Sequence, residues 1–260
     1  MTYRSLLFEK KGHVARVWMR RRGKLATLDR ETIEELAAAA TAINDDDETY
    51  VAVLGSEGDD FGNGWETSDL RPNEGAPDWG QRERGLSDSF SFLERLSRPV
   101  VAAVKGNALS AGLELALACD VRLAGEGSRF GLPETALGLL PLGGGTQRLP
   151  RIVGRAKALE MILLGEVIDA AAALGCGLVS RIVPDDQVDA AALALAERIA
   201  ERGPLAVRYA KEALLRGPEM PLEQALRFET DLTIILQTTE DRTEGVRAFL
   251  EKRPPQFKGR

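Results

Sequence analysis

The chain has one histidine, His13, and two cysteines, Cys119 and Cys176, among 260 residues. Cysteines this far apart, without CxxC spacing and beside a lone histidine, exclude most zinc sites and every mechanism that needs a second histidine. A Ser-His-Asp triad would have to recruit His13, which stands in a strand-like alternating stretch, so histidine chemistry is not expected. Long apolar runs are also missing. Nothing approaches the roughly 20 residues needed to cross a bilayer, and the opening "MTYRSLLFEKKGH" lacks the apolar stretch and small-residue cleavage site of a secretion signal. The expectation is a cytoplasmic protein with no membrane segment. Positive charge is in the minority: Lys and Arg number 34 against 40 Asp and Glu, a formal net charge of −6. Nucleic-acid binding needs clustered cations, so no nucleic-acid partner is expected. Two basic clusters, "MRRRGK" from Met19 and "EKRPPQFKGR" at the C-terminus, read as solvated charge, which still leaves room for a local site for a small anion.

What is present is enough apolar residue for a sizeable core, 44% of the chain. "HVARVWM", His13 to Met19, alternates as a strand buried on both sides would, and Asp29 is an N-cap candidate ahead of a helix. "YVAVLGSEG" from Tyr50 and "RPVVAAVKG" from Arg98 read as short parallel-type strands running into glycine turns. The first leads into a long Gly, Pro, Asp and Asn-rich loop, "DDFGNGWETSDLRPNEGAPDWG", of a length more often functional than structural, and then to a helix near Ser87 to Leu96. Further strands are expected at "DVRLAG" and "GLVSRIVP". A helix over Arg155 to Gly165 carries Ala158, Leu159, Ile162 and Leu163 on one stripe. Beyond Asp185 the pattern is only helical, so a boundary is expected near residue 200, with 1–198 as core and 199–260 as a helical region. Its stripe residues, among them Leu222, Leu226, Leu232 and Ile235, must bury on the core or on another subunit.

Chemistry is suggested by two glycine turns, "FGNGWE" and "GNALSAG". A helix start leaves its first four N–H groups unpaired, with the positive end of the dipole behind them, so two such turns side by side form a site for one oxyanion. The second turn enters a helix at about Ala111, and Glu114 lies three residues on, on the same face. Glu134 follows Pro133, a pair that often opens a helix. Spacing alone leaves two readings open for each glutamate: a first-turn acid favoured by the dipole by roughly 0.3–1 kcal/mol, or one of a pair flanking whatever the N–H groups hold. "LGGGT", Leu142 to Thr146, lacks the GKS or GKT ending of a phosphate loop and the strand context of a dinucleotide fingerprint.

The stretch "RPVVAAVKGNALSAGLELALACDVRLAGEGSRFGLPETALGLLPLGGGTQRLPRIVG" resembles the enoyl-CoA hydratase/isomerase family, the crotonases, and the likeness runs from the strand near His13 through "EGVRAFLEKRPPQFKGR". The resemblance implies an α/β, crotonase-like spiral of repeated ββα turns whose C-terminal helices build homotrimers, commonly paired into hexamers. It implies an acyl-CoA thioester as substrate, coenzyme A being part of that substrate, with no metal and no redox cofactor. The thioester oxygen would be held by the backbone N–H groups of Trp65 and Ala111, and the two hydratase glutamates fall on Glu114 and Glu134. Substrate and CoA contacts would involve Lys24, Ala26, Asn63, Gly64, Leu109, Leu142, Phe257 and Lys258. The implied reaction is reversible syn hydration of a trans-2-enoyl-CoA to a 3-hydroxyacyl-CoA. Isomerase, lyase or hydrolase chemistry on an unusual acyl-CoA is the alternative within the family, and a non-catalytic acyl-CoA-binding protein is the alternative outside catalysis.

The chain departs from the family pattern at several places. Trp65 stands where Ala is usual, either narrowing the acyl mouth or packing away from it. Ser110-Ala111-Gly112 replaces a glycine run, Ala26 replaces a common Asn, and Leu142 replaces a Gly whose N–H lies near the catalytic water. "FKGR", Phe257 to Arg260, resembles a segment covering the CoA adenine, or is a free tail.

Overall fold

The computed structural model describes residues 3–20, 26–66 and 88–260. Lys24, the stretch of the long loop beyond Glu66, and Ser87 lie outside them.

Six strands form the main sheet in the order β1 (Leu6–Lys11), β2 (Val14–Met19), β3 (Val51–Ser56), β4 (Val100–Val104), β6 (Val121–Gly125), β9 (Arg181–Val183). Only β1 and β2 are antiparallel; the remaining pairs are parallel. Every residue of β3 and β4 is buried, as expected of strands covered on both faces. Val51, Val53, Val101 and Ala103 face the helix Val188–Ala200 through Val188, Ala192 and Ala196, while Ala52, Leu54, Val100 and Ala102 face the helix Arg30–Asp45 through Leu36, Ala39 and Ile43. Asp29 caps that last helix as expected, its carboxylate accepting the Thr32 N–H at 2.8 Å.

A second layer explains why the chain winds as a spiral. After each main-sheet strand the chain crosses into a short extended segment: Leu28 after β2, Gly62 to Trp65 after β3, β5 (Asn107–Leu109) after β4, β7 (Arg129–Gly131) after β6. These segments pair in succession, Leu28 with Trp65, Gly62 with Ala108, Ala108 with Phe130, and Phe130 with Ile168 of β8 (Val167–Asp169). Each crossing then leads toward a helix or a helical turn: Arg30–Asp45, Ser91–Arg95, Ala111–Leu117, and the 3-10 turn Pro133–Leu137. The expected repeat of ββα turns is therefore the observed architecture.

The sequence reading missed β1, β5, β7, β8 and the helices Gly145–Val153 and Ala170–Gly175. The stripe on the helix Arg155–Leu164 is only partly used: Ala158 and Met161 are buried, whereas Leu159 and Leu163 are exposed. The C-terminal helices Leu222–Gln237 and Glu240–Glu251 bury Leu232 and Ala248 but leave Leu222, Leu226, Ile235, Phe249 and Leu250 exposed. Among the described residues no helix is long and apolar enough to cross a membrane.

Candidate active site

The two glycine turns lie against each other. Gly62 donates to the Asn107 carbonyl at 2.9 Å and accepts from the Leu109 N–H at 2.7 Å. Asp60 ties the turns together, one carboxylate oxygen accepting the Asn107 N–H at 2.8 Å and the other the Asn63 side-chain amide at 2.8 Å. Asn63 also donates its N–H to the carbonyl of Ala26 at 3.0 Å, and Ala26 itself holds a positive φ of 52°. Contact is so close that a β-carbon on Gly62 would stand 2.7 Å from the Gly112 Cα, and one on Gly112 would sit on the Gly62 carbonyl oxygen.

Gly62 is level with Ala108, and continuing that parallel register along both segments sets Gly64 beside Ser110 and Trp65 beside Ala111. Gly64 does meet Ser110: a β-carbon there would lie 3.3 Å from the serine Cβ. On its other side, Leu28 bonds to the carbonyl of Gly64 and the N–H of Glu66, which turns Trp65's own N–H toward the Ala111 segment. Ala111 opens its helix, so its N–H has no intrahelical acceptor, and among the described residues neither this N–H nor that of Trp65 has a partner.

All seven residues of the helix Ala111–Leu117 are buried, Glu114 completely. One glutamate oxygen, Oε1, accepts the Gly145 N–H at 2.9 Å, and Oε2 has no hydrogen-bond partner of full geometry among the described residues. Burial raises the Glu114 pKa to about 7; the N–H groups of Gly145 and Gly143 pull it down, and the charge of Glu134 pushes it further up. Glu134 occupies the 3-10 turn, with Pro133 at its first position as expected, and is 6% exposed. Its pKa is also raised by burial. The Ser110 hydroxyl opposes part of that rise, yet among the described residues neither carboxyl oxygen has a hydrogen bond of full geometry.

Several parts of this arrangement were not foreseen. The amide that meets Glu114 belongs to Gly145, at the start of the helix Gly145–Val153, while Leu142 lies half-buried just before the glycine run. Gly143 has no room for a side chain: a β-carbon would lie 2.6 Å from the Phe90 ring and 2.7 Å from Glu114 Oε2. Phe90 in turn stacks on Trp65, ring centroids 5.6 Å apart and planes at 20°. Arg148 fixes this wall from behind, donating to the Gly143 carbonyl at 2.6 Å, to Ser91 at 3.1 Å and to both oxygens of Glu94 at 2.7 and 2.9 Å. The sequence carries a signal for Gly145, since a glycine run before "TQRL" opens a helix.

The structure thus brings together Ala26, Asn63, Gly64, Trp65, Leu109, Ala111, Glu114 and Glu134. Phe257 and Lys258 belong to another neighbourhood. Phe257 packs beside Gly203 and Gly245, and the Lys258 and Gly259 N–H groups donate to Asp241 at 2.6 and 2.8 Å, so the tail is pinned to its own chain. His13 takes no part: its ring stacks on Tyr50 at 4.0 Å and its Nδ1 meets the Glu48 carbonyl at 2.8 Å. Among the described residues no cluster of three or more His, Cys, Asp and Glu is suited to a metal ion.

The profile of the enoyl-CoA hydratase/isomerase family matches residues 9–260. A 2,3-dehydroadipyl-CoA hydratase of Escherichia coli K12 is 43% identical over 230 residues, 88% of each chain. A probable enoyl-CoA hydratase of Mycobacterium bovis is 38% identical over 260 residues, 99% of each. The crystal structure of an enoyl-CoA hydratase from Bacillus anthracis superposes with a TM-score of 0.92 at 36% identity, covering 99% of this chain and 100% of that one. The chain belongs to the enoyl-CoA hydratase/isomerase family and has its crotonase-like α/β fold.

Proposed function

We propose that the protein is an enoyl-CoA hydratase, adding water reversibly and in syn fashion to a trans-2-enoyl-CoA to give a 3-hydroxyacyl-CoA. The observation that supports this most is the pair of buried glutamates, Glu114 with one oxygen tied to Gly145 and one without a partner among the described residues, set beside two N–H groups likewise unpaired there. In this reading the Trp65 and Ala111 N–H groups hold the thioester oxygen. That polarises the conjugated bond, makes the β-carbon electrophilic and stabilises the enolate formed when water adds. Glu114, with its pKa near 7, takes the proton of the attacking water, and Glu134 delivers a proton to the α-carbon. In the reverse direction Glu134 removes the α-proton and Glu114 protonates the departing hydroxyl. The scheme calls on no metal and no redox cofactor.

Residues 1–198 would form the catalytic core. Residues 199–260 would form an oligomerisation region, building a homotrimer or a dimer of trimers, which gives the exposed Leu222, Leu226, Ile235, Phe249 and Leu250 a partner. The test is hydration of crotonyl-CoA and longer trans-2-enoyl-CoAs, followed as loss of the conjugated thioester absorbance. Steady hydration is expected, and no turnover at any chain length from well-folded protein overturns the proposal.

A further inference from the structure

Ser110 occupies a backbone conformation that a serine does not choose. Its φ of 52° with ψ of −126° lies in territory where a β-carbon is strained and glycine is at ease. Such strain persists where the surroundings over-determine it, and it gathers at functional sites. Here the main chain is held from both directions. The Ser110 N–H donates to the Gly131 carbonyl at 2.9 Å, and its carbonyl accepts the Glu114 N–H at 3.0 Å. A glycine would satisfy the same bonds without strain, so the side chain itself needs an explanation.

The side chain points at the site. A β-carbon on Gly64 would lie 3.4 Å from the Ser110 Oγ, so the hydroxyl lies next to the turn that presents the Trp65 N–H. On its other side runs the segment that carries Glu134: Leu109 pairs with Gly131, and the Ser110 N–H bond to Gly131 sets the serine alongside the start of the turn Pro133–Leu137. There Glu134 is buried and, among the described residues, neither carboxyl oxygen has a hydrogen bond of full geometry. A buried carboxyl without partners is costly, and a hydroxyl beside it is the group that can offer a proton. Burial raises the Glu134 pKa, and the Ser110 hydroxyl opposes that rise as a hydrogen-bond donor to the carboxylate would.

We propose that Ser110 is a positioning residue whose hydroxyl donates to Glu134 and holds that carboxyl on the α-carbon of the bound thioester, a second polar aid beside the two N–H donors. This inference rests on the hydratase reading above, and its test separates the two. Kinetics of enoyl-CoA hydration are measured for the wild type, Ser110→Ala, Ser110→Gly, Glu134→Gln and the double variant Ser110→Ala/Glu134→Gln. Wild-type inactivity sinks the hydratase reading itself. With an active wild type, both serine variants should lose about tenfold in kcat while KM stays within twofold, since the hydroxyl acts on proton transfer and not on CoA. Ser110→Gly removes the backbone strain, so its thermal midpoint should be at or above that of the wild type, and lost activity there is not lost folding. In the Glu134→Gln background, removing the hydroxyl should change the residual rate by less than twofold. Retention of kcat within twofold by either single variant, or a further tenfold loss in the double variant, overturns the proposal.

Discussion

Gly62 and Gly112 touch backbone to backbone, with space for neither to carry a side chain. That contact locks the Trp65 and Ala111 N–H groups into one register, because each lies at most three residues from it in sequence. Gly112→Ala must push the Gly62 carbonyl away, and overpacking of this kind costs typically 1–3 kcal/mol. Moving a preorganised donor by even an ångström costs about 10²-fold in rate. The expected outcome is a folded, destabilised protein with kcat on crotonyl-CoA down by about 10² or more. Thermal unfolding and steady-state kinetics check both parts, and a Gly112→Ala variant with wild-type kcat would show that the contact does not set the donors.

Glu114 sets a pH dependence whose sign can be worked out. The hydration direction needs its carboxylate, whose pKa is raised to about 7 by burial, and needs the proton that Glu134 delivers. So kcat/KM should rise with pH toward about 7 as Glu114 ionises and fall on the alkaline side as Glu134 loses its proton. Glu114→Gln should lower the rate by roughly 10²- to 10⁴-fold and abolish the rising limb. A rising limb that persists in the variant would belong to another group.

The same shift acts on stability. Between 4.5 and about 7 the folded chain keeps a proton on Glu114 that the unfolded chain releases, so this group makes stability fall as pH rises through that window. Glu134, raised by burial as well, acts in the same direction. Glu114→Gln removes the penalty, and should be more stable than the wild type at pH 8 by up to roughly 3 kcal/mol, with little difference at pH 4. Chemical denaturation at the two pH values measures the gap; an equal difference at both would contradict the assignment.

Much of this was legible in the sequence because its signals were local. Fully apolar "VAVL" and "VVAAV" announced buried parallel strands, Asp29 announced a cap, and the resemblance placed Glu114 and Glu134 together. What was not legible depends on contacts between distant turns. The strands Leu6–Lys11 and Val167–Asp169 have weak patterns of their own and exist through pairing. The helix Gly145–Val153 was hidden by Pro150 inside it and by a glycine run that also looks like a loop. The exposed Leu159 and Leu163 show the opposite error, periodicity read as core where the chain itself provides no cover.

Arg148 holds the glycine run that holds Glu114. Its planar fork spans Glu94, Ser91 and the Gly143 carbonyl at once, a geometry that a lysine's single ammonium cannot reproduce. Arg148→Lys should lower kcat about tenfold through a loosened Gly143 to Gly145 segment and lower stability by about 1–3 kcal/mol. Equal kinetics for Arg148→Lys and wild type would show that the loop holds itself.

Trp65 separates two properties that one residue combines. The proposed oxyanion donor is its backbone N–H, while its indole is 5% exposed, stacks on Phe90 and keeps a buried Nε1–H without an acceptor among the described residues. Trp65→Phe retains the stack and deletes the unsatisfied donor, so stability should hold or rise by up to ~1 kcal/mol and crotonyl-CoA turnover should stay within a few-fold. Trp65→Ala keeps the N–H and removes the ring stacked on Phe90, so kcat/KM should shift in favour of longer or bulkier enoyl groups. A chain-length panel run on all three proteins decides it: an unchanged profile in Trp65→Ala means that the Trp65 and Phe90 rings serve the core alone and another wall selects the acyl group.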